Sequence, residues 1–219
     1  MGFDTLKLEP TEQEVLDFLS QGVDANGEKI DLDHFDERSL KSLKDLYEEI
    51  NQKEIRLTRV WESGRIIRNA LSVRILIMVP ALECRFLETD RYYPEKQTMH
   101  SGIKSYTISE TRRRGELSSK TAIRGLREEA NLIVREEQLE FKEALETWDG
   151  KKEFPEHESS VYYGLRTHIQ AFHYCLEWPE SPWKEEVRVI SDNGVEVYVQ
   201  RFPYQSLDEI AASLRQGVP

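Results

Sequence analysis

The residues best placed to do chemistry lie between Gly115 and Leu132, where Glu128 and Glu129 stand side by side, four and five residues beyond Arg124. Ser118 to Ala130 has helical character, with Ala122, Ile123, Leu126 and Ala130 forming an apolar stripe. Residues three and four apart share a helix face, so position 125 sits beside Glu128 and Glu129 while the stripe turns toward a core. Two adjacent carboxylates near a helix C-terminus repel each other and the helix dipole. A divalent cation would relieve that cost; a solvated surface helix would tolerate it.

The stretch resembles the Nudix box: Gly, five residues, Glu, seven residues, then Arg-Glu-U-x-Glu-Glu-x-Gly-U, where U is a bulky aliphatic. Aligned on Arg124, the chain supplies Glu116, Arg124, Leu126, Glu128, Glu129 and Leu132 in one register. Three positions depart from the pattern. Glu110 stands where the first Gly belongs, Gly125 replaces a Glu, and Asn131 replaces the last Gly. Asn131 is a mild change, because Asn is the next-best residue after Gly for the left-handed position that ends a helix. Glu110 alters the loop that, in the family, places a backbone carbonyl near the metal. Gly125 is the serious departure, since the family's Glu there is a main magnesium ligand, and glycine costs a helix about 1 kcal/mol relative to alanine.

The resemblance implies a Nudix-type hydrolase that cleaves a diphosphate linkage in a nucleoside diphosphate derivative. It implies magnesium, with manganese as a substitute, held by Glu128, Glu129 and Glu116. Glu128, Glu129 and Arg124 would be catalytic, with Glu156 in the later loop as the base. The alternative it leaves open is a Nudix-fold nucleotide-binding or regulatory module with impaired catalysis, motivated by Gly125 and by the acidic helical N-terminal segment. Arg112, Arg113 and Arg114 directly precede the box. They could clamp phosphate oxygens of the substrate, or form a solvated turn.

These residues need elements to hold them. β-branched and apolar runs at 71–79, 82–87 and 98–109 predict strands before the helix. After it, 140–148 and 160–178 read as strands joined by the polar loop 149–159, which carries Glu153, Glu156, His157 and Glu158. Residues 187–190 and 195–202 flank Asp192-Asn193-Gly194, a hairpin signal. Residues 207–214 read as a closing helix. The fold class expected is α+β, a Nudix-type α/β/α sandwich with a mixed sheet, preceded by an acidic helical segment. The division expected is a helical N-terminal segment over 1–65 and a Nudix-like domain over 66–219.

That division follows the charge. The 219 residues carry −11, and residues 1–54 alone hold 6 basic against 15 acidic side chains, leaving −2 for the remainder. Thr11 with Glu14 predicts a capped helix over 12–21, and Leu40, Leu43, Leu46, Tyr47 and Ile50 predict another over 36–54. Asp24, Asn26, Asp31 and Asp33 lack the Gly of a calcium loop and read as a solvated acidic turn. Arg56, Arg59, Arg65 and Arg68, at three- and four-residue spacings, read as a solvated helix face that pairs with the acidic segment.

The acidic balance argues against general nucleic-acid binding. No apolar run is long enough to span a bilayer, and the first ten residues do not read as a signal peptide. Cys84 and Cys175, in strand-like runs, read as buried thiols of a reducing compartment, so a cytoplasmic protein is expected. His168, His173 and the aromatics of 148–178 read mainly as packing. The N-terminal segment is a candidate arm for a homodimer.

Overall fold

The computed structural model describes residues 2–24, 26–104, 106–142, 157–159, 161–180, 182–183, 186–190 and 194–204. These form a mixed α+β structure with a large antiparallel sheet and four helices. The chain divides into two compact units. One takes in Met1–Ser72, Thr111–Thr121 and Ala144–Phe172; the other takes in Val73–Glu110, Ala122–Glu143 and His173–Pro219.

In the first unit, β1 (Phe3–Thr5) pairs antiparallel with β2 (Ile55–Val60), and β2 pairs with the start of β3 (Ile66–Val79). The boundary expected at 65/66 lies at the turn of the β2–β3 hairpin, where Gly64 takes a φ of 69°. Helix α1 (Glu12–Ser20) starts where expected: the Thr11 side chain accepts from the Glu14 backbone while Glu14 returns the bond. The helix expected over 36–54 is two pieces, α2 (Phe35–Arg38) and α3 (Leu43–Asn51). Ser39 goes extended, its Oγ accepting from Tyr163 N at 2.9 Å, and Ser42 caps the new start with Asp45. Ser42 offers the chain a local cap, while Ser39 is drawn out of the helix by a distant partner.

The arginines at 56, 59, 65 and 68 are not on a helix, which corrects the expectation. Arg56 and Arg59 lie on β2, Arg68 lies on β3, and Arg65 immediately precedes β3. Cross-strand pairing and the alternation of buried Ile55 and Leu57 outweigh the helical spacing of the charges. Their pairing with the acidic segment does occur: Arg59 reaches Asp4 at 2.5 Å, and Arg68 reaches Glu49 at 2.7 Å. The acidic turn is held by Asp24, whose Oδ1 accepts from Asn26 N and Glu28 N. Asp24 is itself buried rather than solvated.

The core of this unit is Leu6, Val15, Leu19, Phe35, Leu46, Leu57, Ile66 and Tyr162, among others. Within it Glu49 sits between Lys41 (2.6 Å) and Arg68. Burial pushes its carboxyl upward, but the two cations outweigh burial and hold it at about 2. Its ionised form therefore stabilises the fold fully above pH ~4.5, and that contribution is lost as pH falls toward ~2. Glu49→Ala strands Arg68 in the interior and is expected to cost about 3–5 kcal/mol in urea unfolding at pH 7. A loss below ~1 kcal/mol would contradict that account.

In the second unit, the end of β3 pairs with β4 (Cys84–Tyr93) through a tight turn at Pro80–Leu82. β4 pairs on with β11 (Glu196–Pro203) and with β5 (Thr98–Ser101), and β11 pairs with β10 (Glu186–Ile190). The β10–β11 hairpin agrees with its turn signal, Gly194 lying at φ 78°; Asp192 and Asn193 are outside the described residues. The single strand expected over 98–109 is two, β5 and β6 (Ile108–Thr111). Gly102, at φ 146°, lies in the break between them.

Helix α4 spans Ser118–Ala130 as its periodicity predicts, with Ala122, Leu126 and Ala130 buried. Asn131 takes a φ of 53°, the left-handed position foreseen for it. β7 (Leu139–Lys142) pairs with the later part of β9 (Arg166–Glu177), and β8 (His157–Glu158) pairs with the earlier part. The strand expected from 160 begins only at Arg166, after a turn with Gly164 at φ 73°. The closing helix expected over 207–214 lies outside the described residues. Both cysteines are free and buried. Among the described residues, no helix is long and apolar enough to cross a membrane.

Candidate functional site

The approach to β6 is pinned at Thr107, a fully buried residue. Its N–H donates to Ile75 O, its hydroxyl donates to Phe86 O, and the hydroxyl oxygen accepts from Ile77 N. That clamp fixes the strand carrying Ile108 and Glu110. Helix α4 crosses this strand at Gly125. A Cβ built at Gly125 would stand 2.9 Å from Glu110 Cβ, 3.3 Å from Glu110 Cγ and 3.5 Å from an Ile108 methyl. Glycine is needed at 125 because Glu110 fills the space a side chain would take.

Glu110 and Gly125 are thus one packing feature. Along the sequence alone, Glu110 reads as a change in a loop and Gly125 as a lost carboxylate. In the fold, Glu110 is a strand residue whose carboxylate stands at the helix face that Gly125 leaves bare. Glu110 Oε1 pairs with Arg124 Nη1 at 2.9 Å, both side chains largely buried. The same Nη1 lies 3.6 Å from Glu128 Oε2, the i, i+4 neighbour, and Arg127 approaches Glu128 Oε1 at 3.1 Å. Arg124 therefore joins a strand carboxylate to a helix carboxylate.

Glu129 behaves differently. The residue keeps some surface, but its Oε2 is enclosed and has no hydrogen-bond partner. Burial pushes its carboxyl up to about 8; Arg91 opposes the rise, while Glu110, Glu88 and Glu128 add to it. Glu88 and Arg91, both on β4, form a two-pronged pair at 2.9 and 3.2 Å, Glu88 being almost fully buried. Four carboxylates (Glu88, Glu110, Glu128 and Glu129) thus share a neighbourhood with two partly buried guanidiniums, those of Arg91 and Arg124. Glu88 and Arg91 were not singled out in the sequence. The signal available was a glutamate following Phe86 and Leu87 in an apolar strand, a placement that demands a partner.

Oxygen donors of this kind suit a hard divalent cation, and the enclosed, unpartnered Glu129 Oε2 fits one. Among the described residues, no three Asp, Glu, His or Cys side chains already converge on one point. A cation would compete with Arg124 for the oxygens of Glu110 and Glu128.

The other residues singled out in the sequence lie elsewhere. Glu116 accepts from Arg113 N through Oε2 at 3.2 Å and returns its own N–H to Arg113 O, closing a turn in which Gly115 takes a φ of 84°. Arg113 pairs with Glu54 at 3.3 Å and with Gln52. Arg112 lies over the Phe172 ring, 5.2 Å from its centroid, and Arg114 donates its backbone N–H to Lys53 O. Arg112 and Arg114 line a cavity of the first unit together with His168. Glu116 and the three arginines belong to the first unit; Glu88, Arg91, Glu110, Arg124, Glu128 and Glu129 belong to the second. Glu156 and Glu153 lie outside the described residues. Burial, with Arg74 adding, lowers His173 to about 4, so it is neutral at pH 7 and suits packing better than cation exchange.

No family model matches the chain, and no curated protein matches it. Among solved structures it is similar to DR0079 from Deinococcus radiodurans, at 10% identity over 68% of this chain and 74% of that one, with a TM-score of 0.38. A likeness that slight carries no argument about fold or function.

Proposed function

We propose that this chain is a Nudix-type hydrolase that cleaves the diphosphate linkage of a nucleoside diphosphate derivative, on an α/β/α sandwich of that kind. The observation that carries the reading is the complementarity of Glu110 and Gly125. It keeps the carboxylate count of the box while moving one carboxylate from helix to strand.

Glu110, Glu128 and Glu129 would hold magnesium, or manganese in its place. Bound there, the ion would offset diphosphate charge and acidify an attacking water. Arg124 fixes the rotamers of Glu110 and Glu128 and keeps two like charges at bearable cost. Glu129 enters the site protonated at neutral pH and must lose that proton to act as a ligand. Glu116 orders the turn leading into the helix rather than reaching for the ion. A base from the loop that holds Glu156 and a homodimer are parts of the same proposal; Arg112, Arg113 and Arg114 belong to the other unit and are not assigned to it. The binding-module alternative had two motives, the missing carboxylate at 125 and the acidic N-terminal segment; the place of Glu110 weighs against the first alone.

The test is turnover on nucleotide sugars, ADP-ribose, dinucleoside polyphosphates and nucleoside triphosphates, followed by phosphorus NMR. A nucleoside monophosphate should appear with magnesium and vanish with EDTA. A folded protein that turns over none of them, with either metal, would defeat the reading.

A further inference from the structure

The first unit contains a cavity of about 400 Å³ that the hydrolase reading does not use, within the range of small-molecule sites. Its floor is aliphatic, from Leu6, Ile55, Leu57, Ala70 and Leu71. Its polar lining is strongly cationic: Lys7, Lys53, Arg56, Arg112 and Arg114 stand against the single carboxylate of Glu54. That carboxylate is engaged by Arg113. Lys7 and Lys53 have surface partners in Glu14 and Glu9, so the three arginines carry the unbalanced charge.

Arg112 is the decisive group. Its Nε is enclosed without a hydrogen-bond partner, while its guanidinium rests on Phe172. That enclosed Nε is out of a ligand's reach, so a ligand in the cavity would meet the terminal nitrogens of the guanidinium instead. The backbones that carry these arginines are already fixed. Arg112 N donates to Leu71 O at 2.7 Å and Arg114 N to Lys53 O at 2.8 Å. Binding has still to order the exposed side chains of Arg56 and Arg114.

We propose that this cavity binds a small phosphomonoester with an apolar body, the phosphate meeting Arg56, Arg112 and Arg114 and the body lying on the Leu6–Leu57 floor. Guanidinium forks match phosphate oxygens in pairs, and a phosphate brings more charge and one more oxygen than a carboxylate. The cavity is too small for a polymer, and the net charge of −11 disfavours a polyanion. The inference stands independently of the hydrolase reading.

The test is calorimetry on the full chain in EDTA with hexyl phosphate and AMP as probes. Hexanoate, hexanol, adenosine and inorganic phosphate serve as controls. At least one phosphomonoester should bind about tenfold more tightly than its dephosphorylated counterpart and than inorganic phosphate. Arg112→Gln should weaken it about tenfold, and exposed Arg114→Gln should weaken it several-fold with the fold intact. Preference for hexyl phosphate marks an aliphatic body, and preference for AMP a planar one. The proposal is overturned if neither phosphomonoester saturates, if hexanoate binds as well, or if both arginine variants bind like wild type.

Discussion

Glu129→Gln is expected to reduce magnesium-dependent diphosphate cleavage by at least ~10²-fold while making the metal-free protein more stable at pH 8. Both effects come from one carboxyl. Its Oε2 is enclosed without a partner, and burial together with Glu110, Glu88 and Glu128 lifts it to about 8 from the ordinary 4.5. Between those values the unfolded chain has lost the proton and the folded chain has kept it. The folded state binds more protons, so stability declines as pH rises through the window, by a few kcal/mol at most. Glutamine imitates the protonated form at every pH. Thermal unfolding of the variant should therefore lose the decline between pH 5 and 8 that wild type shows. A variant that keeps wild-type turnover, or keeps the wild-type slope, would remove Glu129 from its assigned role.

The exchange of Glu110 and Gly125 carries the second large effect. Gly125→Glu alone drives a side chain into Glu110, whose Cβ would be 2.9 Å from the new Cβ. Overpacking costs about 1–3 kcal/mol, of which the better helix propensity returns up to ~1. Glu110→Gly alone leaves Arg124 short of its closest carboxylate, 2.9 Å away, and costs about 2–4 kcal/mol. Each single variant should also lose activity. Glu110→Gly/Gly125→Glu restores both volume and charge on the opposite element. Its unfolding free energy in urea should exceed the additive expectation by at least ~1.5 kcal/mol, with turnover recovering alongside. Strict additivity in both readouts would mean the two positions do not act as a pair.

What the sequence made legible was local. The Ala122, Leu126 and Ala130 stripe gave α4 its full extent, Asn131 announced the left-handed helix end, and Thr11 with Glu14 announced the start of α1. The Asp-Asn-Gly turn foretold the β10–β11 pairing. What escaped depended on distant partners. Ser39 ends α2 by taking a bond from Tyr163, 124 positions away. Arg59 and Arg68 sit on strands because β1, β2 and β3 pair, a fact absent from their spacing. The relation of Glu110 to Gly125 needs β6 laid against α4, so a linear motif presents it as two unrelated losses.

The most direct measurement of the central claim, that Glu110 supplies the carboxylate that position 125 lacks, is manganese binding followed by water-proton relaxation. It should compare wild type, Glu110→Gln and the exposed control Glu140→Gln. The account predicts saturable binding that magnesium displaces, at least ~tenfold weaker in Glu110→Gln and unchanged in Glu140→Gln. Equal affinity in wild type and Glu110→Gln would contradict it.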